Sequence, residues 1–340
     1  MYTRVLAMLP NWLGDVAMCT PALRALHRRY PEAQLHAAGR PGACALVQGL
    51  PYLTGTTVLP ARGGVAATLR AAALLRRIRA DCAVVFPHSF RAALQVRLAG
   101  VPERVGYDRD RRRALLTQAV PPHRVDGEIT PIYMTDEYLG LVAPLGCADD
   151  QEGLELHADP AETARVRACL DHAGEKEGPL VGFAPAAAFG PSKRWPAERF
   201  AAVANALRDR LGARCVLLTG PGEEDTRDAI QRHAKTPLIT CDDGSPSIAG
   251  LKAVISQLDA LVCNDSGPRH VAVAFGVPTV CIMGPTAPVY SCGPYERGEL
   301  VRIDVDCGPC QQPVCTTDHR CMTGISVERV VSAAIRALRL

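Results

Sequence analysis

Apolar residues in this chain gather into short runs, and the stretches between them repeat at helical spacing. In the first half the runs 5–9, 34–38, 56–59 and 82–86 read as strands. Between them, segment 68–79 places Leu69, Ala72, Leu75 and Ile78 near a 3.6-residue period, and 90–99 follows the same rule. The second half repeats the plan, with strands at 180–184, 215–219, 238–240, 260–263 and 279–283. A helix over 196–211 begins with Pro in its first turn and carries Phe200, Val203, Leu207 and Leu211 on one stripe. An amphipathic helix over 326–338 closes the chain. Strand–helix alternation of this kind implies parallel sheets joined by right-handed crossovers.

The alternation breaks once. Residues 146–155 are polar, a helix follows over 160–172, and Gly174-Glu175-Lys176-Glu177-Gly178-Pro179 reads as a linker. The expected division is therefore 1–175, 176–325 and a closing helix 326–340 that packs back toward the first half. The expected fold class is α/β: two Rossmann-like, doubly wound domains facing each other across a cleft. At 340 residues the chain is long enough for two cores.

Composition trims the functional classes. Aromatics supply only 5%, so Ala, Val, Leu and Ile must fill the interior. A net charge of +3 lacks the basic excess of a nucleic-acid binder. The clusters Arg28-Arg29, Arg76-Arg77 with Arg79, and Arg109 with Arg111-Arg112-Arg113 read as solvated surface, with an anionic lipid head group as the sharper alternative. Two long uncharged windows, 41–61 and 270–295, are rich in Pro and Gly and read as strand–loop–strand, not as spanning helices. The expectation is a cytosolic protein whose 14 cysteines stay reduced.

Chemistry concentrates in loops that follow strands, where doubly wound sheets bind ligands. Asn11-Trp12-Leu13-Gly14-Asp15-Val16 opens the first helix: Gly14 permits close backbone approach, and Asp15 reads either as a helix cap or as a carboxylate base. One glycine is not a GxGxxG fingerprint, which argues against a nicotinamide enzyme. Phe189-Gly190-Pro191-Ser192-Lys193-Arg194-Trp195-Pro196 puts two cations on a loop, a pair suited to a diphosphate leaving group. In Asn264-Asp265-Ser266-Gly267-Pro268-Arg269-His270 a strand runs into a helix start whose N–H groups form an anion site, with Asp265 and His270 beside it. Gly220-Pro221-Gly222-Glu223-Glu224 offers an acid for ribose hydroxyls or merely an acidic first turn. Cys307, Cys310, Cys315 and Cys321, with His319 nearby, are compatible with structural zinc or with plain thiols. The DxD matches Asp108-Arg109-Asp110 and Asp304-Val305-Asp306 are short enough to arise by chance, follow no strand in a convincing cleft position, and are set aside.

Taken together these segments resemble glycosyltransferase family 9. Phe86-Pro87-His88-Ser89-Phe90-Arg91-Ala92-Ala93-Leu94 is similar to that family's PNSFKSAL segment, 182–196 to its GFCPGAxFGPxKRWP segment, and 264–272 to its NDSGxMHVA segment. The likeness runs from about residue 9 to 336 and leans toward the heptosyltransferase II branch. It departs at Ala186, where the family usually has Gly, and at Arg269, where Met is common. The resemblance implies an inverting GT-B transferase without a metal requirement. ADP-L-glycero-D-manno-heptose would be the donor and the heptosyl-Kdo2-lipid A inner core of lipopolysaccharide the acceptor. It further implies Asp15 as catalytic base and Lys193, Arg194, Glu224, Asp265, Ser266, Gly267 and His270 at the donor, with Glu223 the alternative to Glu224 as the ribose-contacting acid. Gly14 and Arg91 would lie at the acceptor, and the chain would act as a monomer at the inner face of the inner membrane. The rival readings are a family 9 transferase with another nucleotide sugar, a GT-B sugar-nucleotide epimerase and a catalytically silent nucleotide-sugar binding protein.

Overall fold

A computed structural model describes residues 2–60, 63–173, 178–242 and 245–339. The chain forms two compact units: Met1–His157 with Val289–Ser291, and Ala158–Pro288 with Cys292–Leu340. The linker expected around residue 175 lies outside the described residues, and the helix Pro160–His172 belongs to the second unit.

In the first unit a parallel sheet has the order β3-β2-β1-β4-β5-β6. Its strands are β1 (Arg4–Met8), β2 (Gln34–Gly39), β3 (Leu53–Val58), β4 (Cys82–Val85), β5 (Glu103–Tyr107) and β6 (Gln118–Val120). β1 pairs on one side with β2 (Met8 beside Ala38) and on the other with β4 (Met8 beside Val85), so the winding reverses between β1 and β4. A short antiparallel hairpin, β7 (Arg124–Val125) and β8 (Glu128–Ile129), stands apart. The second unit carries β9 (Leu180–Ala184), β10 (Arg214–Leu217), β11 (Ala260–Asn264), β12 (Thr279–Ile282) and β13 (Gly298–Val301) in the order β10-β9-β11-β12-β13. Here the reversal falls between β9 and β11, which pair Ala184 with Cys263. β4, β9, β11 and β12 are buried at every position, as expected of strands with helices on both faces.

Each unit has its own core. Leu6, Met8, Ala71, Leu75, Ala83, Val85 and Val96 meet in the first. Val181, Phe183, Phe200, Val203, Leu207, Val262, Ile282, Val330 and Ala334 meet in the second. The helix Val65–Ile78 is turned slightly from its expected face. Ala71, Ala72 and Leu75 are buried, whereas Leu69 is exposed, because small residues let the helix lie close to the sheet. The closing helix is Val327–Ala337. Its stripe of Val330, Val331, Ala333, Ala334 and Ala337 is buried in the second unit's core. The window 41–61 begins with a helix, Pro41–Val47, before β3, and Gly267–Ala274 makes the start of window 270–295 helical. The expected strand at 238–240 is reduced to one bridge, Val216 to Ile239. One thiol pair also departs from expectation. Arg165 donates to the Cys241 carbonyl (2.9 Å) from the helix that bears Cys169, and those two cysteines form a disulfide with Cα atoms 5.9 Å apart. No helix among the described residues is long and apolar enough to cross a membrane.

Candidate active site

In the first unit the two loops at the winding reversal carry the expected acceptor-side residues. The loop after β1 leads into the helix Leu13–Met18, with Asp15 in its first turn, Gly14 buried and Trp12 exposed. The loop after β4 leads into Phe90–Ala99, whose cap is Ser89 accepting from the Ala92 N–H (3.3 Å). Arg91 is the second residue of that helix. Its Nε and one Nη are buried without a hydrogen-bond partner among the described residues, an uncommon state for guanidinium nitrogens. Around the same loop, His88 Nε2 lies 2.8 Å and Arg109 Nη1 3.2 Å from Glu137 Oε1. Arg112 is fully buried and donates to the carbonyls of Tyr107 (2.9 Å) and Pro87. Burial pushes its pKa down to about 10, which still leaves it cationic at neutral pH. The cluster read as solvated surface is therefore partly a buried brace for the β4 loop.

The second unit assembles a denser constellation. Lys193 ends a short 3₁₀ turn, Pro191–Lys193, in the segment after β9. Asp265 follows β11 directly. Because β9 and β11 are neighbours, the two loops meet. Lys193 Nζ sits 2.6 Å from Asp265 Oδ2 and 3.2 Å from the Asp265 carbonyl oxygen. Thr286 Oγ1 donates to the same Oδ2 (2.8 Å), and Arg269 Nη1 reaches Oδ1 at 2.8 Å. Arg269 is fully buried and bonds both oxygens of Glu296, with Nε at 2.7 Å and Nη2 at 2.5 Å. Thr279 Oγ1 donates to Glu296 at 2.6 Å. Burial raises the Asp265 pKa, but the charges of Lys193 and Arg269 outweigh it and hold the carboxyl well below its ordinary value. His270 goes the other way: burial, with the Arg269 charge second, pushes it down to about 4, so it is a neutral imidazole at pH 7. Ser266 precedes the helix Gly267–Ala274, and its Oγ is buried with no hydrogen-bond partner among the described residues. Helix-start N–H groups beside that hydroxyl and Lys193 make a site for an anionic group.

Two supports fix this geometry. Asn264 accepts from the Trp195 N–H (3.3 Å) and donates to the Pro185 carbonyl, tying the Lys193 loop to β11. The cysteine-rich loop braces it from behind. Ser192 donates from its N–H to Pro313 (3.1 Å) and from Oγ to Gln312 (2.6 Å), while His319 Nε2 lies 2.7 Å from the Ser192 carbonyl. Sequence reasoning missed Asn264, Thr286 and Glu296, and treated Arg269 only as a departure from a motif. Asn264 sits inside a quoted motif; nothing local singles out Thr286 or Glu296.

Other expected residues stand outside this network. Arg194 is exposed. Glu224 is exposed at the start of Glu224–His233 and accepts from the Gly222 N–H (3.1 Å), while Glu223 accepts from the Gly220 N–H (2.6 Å). Cys307, Cys310, Cys315 and Cys321 line one small cavity. Among the described residues, however, no group of three or more His, Cys, Asp or Glu side chains is arranged to hold a metal, so the zinc expectation finds no support. His319 is spent on the Lys193 loop instead. Of the DxD acids, Asp108 pairs with Arg113 (2.7 Å) and Asp304 with Arg302 (2.8 Å).

The family profile for glycosyltransferase family 9 (heptosyltransferase) matches residues 68–320. Lipopolysaccharide heptosyltransferase 2 of Escherichia coli K12 is 28% identical over 311 residues, 88% of each chain. The Salmonella typhimurium protein of the same name is 29% identical with the same coverage. Among solved structures, E. coli ADP-heptose LPS heptosyltransferase II matches with a TM-score of 0.81 at 25% identity, covering 99% of this chain and 98% of that one. A glycosyltransferase family 9 structure from Veillonella parvula gives 0.84 at 24% identity, with 99% and 97% covered. With two Rossmann-like units of the GT-B class and a profile match across most of its length, the chain belongs to glycosyltransferase family 9 and is a glycosyltransferase.

Proposed function

We propose that this enzyme transfers L-glycero-D-manno-heptose from ADP-heptose to the heptosyl-Kdo2-lipid A inner core of lipopolysaccharide, with inversion and without a divalent metal. One observation carries the reading. Lys193, the Ser266 hydroxyl, which has no hydrogen-bond partner among the described residues, and the start of helix Gly267–Ala274 converge at the winding reversal of the second unit, where an ammonium, a hydroxyl and free helix-start N–H groups can meet a diphosphate. The names of the curated relatives support the sugar and the acceptor.

In this mechanism the acceptor hydroxyl attacks the anomeric carbon opposite the ADP. Asp15 takes the hydroxyl proton, the new glycosidic bond forms, and the bond to the diphosphate breaks with its electron pair leaving on ADP. Proton transfer to a carboxylate is adequate because the sugar develops oxocarbenium character before the proton moves. Charge growing on the leaving diphosphate is met by Lys193, Arg194 and the helix start, the role a metal fills elsewhere. Neutral His270 donates or accepts a hydrogen bond without adding charge. Glu224 takes the ribose hydroxyls. Gly14 allows the acceptor close approach, and Arg91 offers an anionic acceptor group the Nε and Nη that have no partner among the described residues. The protein works as a monomer in the cytoplasm, peripheral to the inner membrane.

The test is turnover with a panel of nucleotide sugars, each with and without heptosyl-Kdo2-lipid A. Product from ADP-heptose only when acceptor is present is the expected result. Turnover of another nucleotide sugar in its place, or conversion of donor alone, would replace this reading with one of its rivals.

A further inference from the structure

Asp265, which is almost wholly buried, takes two of the three Lys193 N–H donors and neutralises the lysine's charge, so Lys193 meets a diphosphate with its full charge only as that pair loosens. Removing the sole counter-ion from a buried carboxylate is strongly unfavourable, so a lone Lys–Asp pair would hold its lysine back from any ligand. Asp265 has a second cation. Lys193 and Thr286 occupy Oδ2, whereas Arg269 occupies Oδ1, so departure of the lysine leaves the arginine bond untouched. Arg269 cannot follow Lys193 toward a ligand, because it is fully buried and both oxygens of Glu296 grip its other edge. Glu296 is fixed in turn by Thr279. A planar, doubly bonded guanidinium is a fixed charge, and an ammonium on four methylenes is a movable one. The like charge of Glu296 lies across the guanidinium, farther from Asp265 than the arginine contact, so attraction outweighs repulsion there.

We propose that Arg269, locked by Glu296, is a positioning residue: it stands in as counter-ion to Asp265 and thereby releases Lys193 to the leaving diphosphate. This rests on the reading of Lys193 as a donor-site cation, and the test separates the two. ADP is the probe, because it carries the full charge of the departing group. Arg269→Met alone would strand Glu296, so the informative variant is Arg269→Met with Glu296→Gln, which removes both buried charges together.

Calorimetric dissociation constants for ADP are compared in four proteins: wild type, Lys193→Ala, the Arg269→Met/Glu296→Gln variant and the triple variant. Lys193→Ala is expected to weaken ADP binding about 30-fold, the worth of one charged hydrogen bond. The paired change should cost about tenfold when Lys193 is present and less than about twofold when it is absent, because its effect runs through the lysine. Equal losses in both backgrounds, or no loss in either, would overturn the stand-in role while leaving Lys193 a donor residue. No effect of Lys193→Ala would bring down the donor-site reading and this proposal with it. Arg269→Lys gives a second reading if the paired variant does not fold. It keeps a cation on Asp265 and should bind ADP within about threefold of wild type; a tenfold loss there would count against the proposal.

Discussion

Asp15 and Lys193 are assigned different moments of one reaction, and single substitutions should separate them. Asp15→Asn keeps the shape and removes the base, so turnover should fall about 10²–10⁴-fold with donor affinity nearly unchanged. Near-normal turnover in that variant would remove Asp15 from the mechanism. Lys193→Ala should lower kcat more than affinity for the intact donor, since the charge it meets grows as the bond breaks. Loss of donor affinity at unchanged kcat would mean uniform binding instead. His270 gives a stability signature. Its folded pKa, near 4, lies below the unfolded value of about 6.5, so the unfolded state binds more protons between them. Stability from this residue is present above pH ~6.5 and is lost as pH falls toward ~4. His36, also lowered by burial, acts in the same direction. Thermal midpoints across that range should flatten in His270→Gln; an unchanged slope would show that other groups carry it. Lys193 and Asp265, which the structure brings to 2.6 Å, were each readable from a segment that follows a strand. Glu296 was not, because it reaches Arg269 from 27 positions downstream, a distance along the chain that no local pattern spans.

At the scale of elements, the site depends on loops held by other loops. Gly190 has φ of +156°, and a Cβ there would collide with the Pro313 carbonyl oxygen. Gly190→Ala should therefore push the Lys193 loop off its brace, lowering stability by about 1–3 kcal/mol and ADP affinity with it. Gly212 supplies the control. It caps Ala197–Leu211 at φ +62°, with nothing within 4 Å of an added Cβ. Gly212→Ala should cost about 1 kcal/mol and leave ADP affinity alone. Denaturant midpoints and calorimetry on both variants check this, and equal ADP affinities would sink the bracing role. Periodicity found the long elements well: Phe90–Ala99, Pro160–His172 and β9 were expected at their observed limits. It failed at Pro41–Val47, where a seven-residue apolar helix has the same composition as a buried strand. It failed again at 238–240, where a strand-like run makes a single bridge. At Leu69 the period was right and the face was wrong, since alanines decided which side could approach the sheet.

For the whole molecule, the division of labour has a measurable result. If protein cations alone meet the leaving diphosphate, dialysis against EDTA should leave turnover within about twofold of untreated enzyme. A loss restored by Mg²⁺ or Mn²⁺ would show that a metal had been overlooked. The two-unit α/β plan was legible because buried parallel strands are continuous apolar runs. An apolar stripe states that a helix is buried and not which sheet buries it, so the packing of Val327–Ala337 in the second unit's core comes from the structure alone. One local detail reaches beyond mechanism. The chain has two tryptophans. Trp12 is 54% exposed and stands three residues before Asp15. Trp195 is 2% exposed, stands two residues after Lys193, and donates its indole N–H to the Ile325 carbonyl at 3.1 Å. Each unit thus contains one indole in a contrasting environment, Trp12 near the proposed base and Trp195 near the proposed donor-site cation. Emission from the solvent-facing indole lies to the red of that from the enclosed one. The unlabelled enzyme should therefore report nucleotide arrival in the blue part of its spectrum and glycolipid arrival in the red, two optical channels that need no added dye.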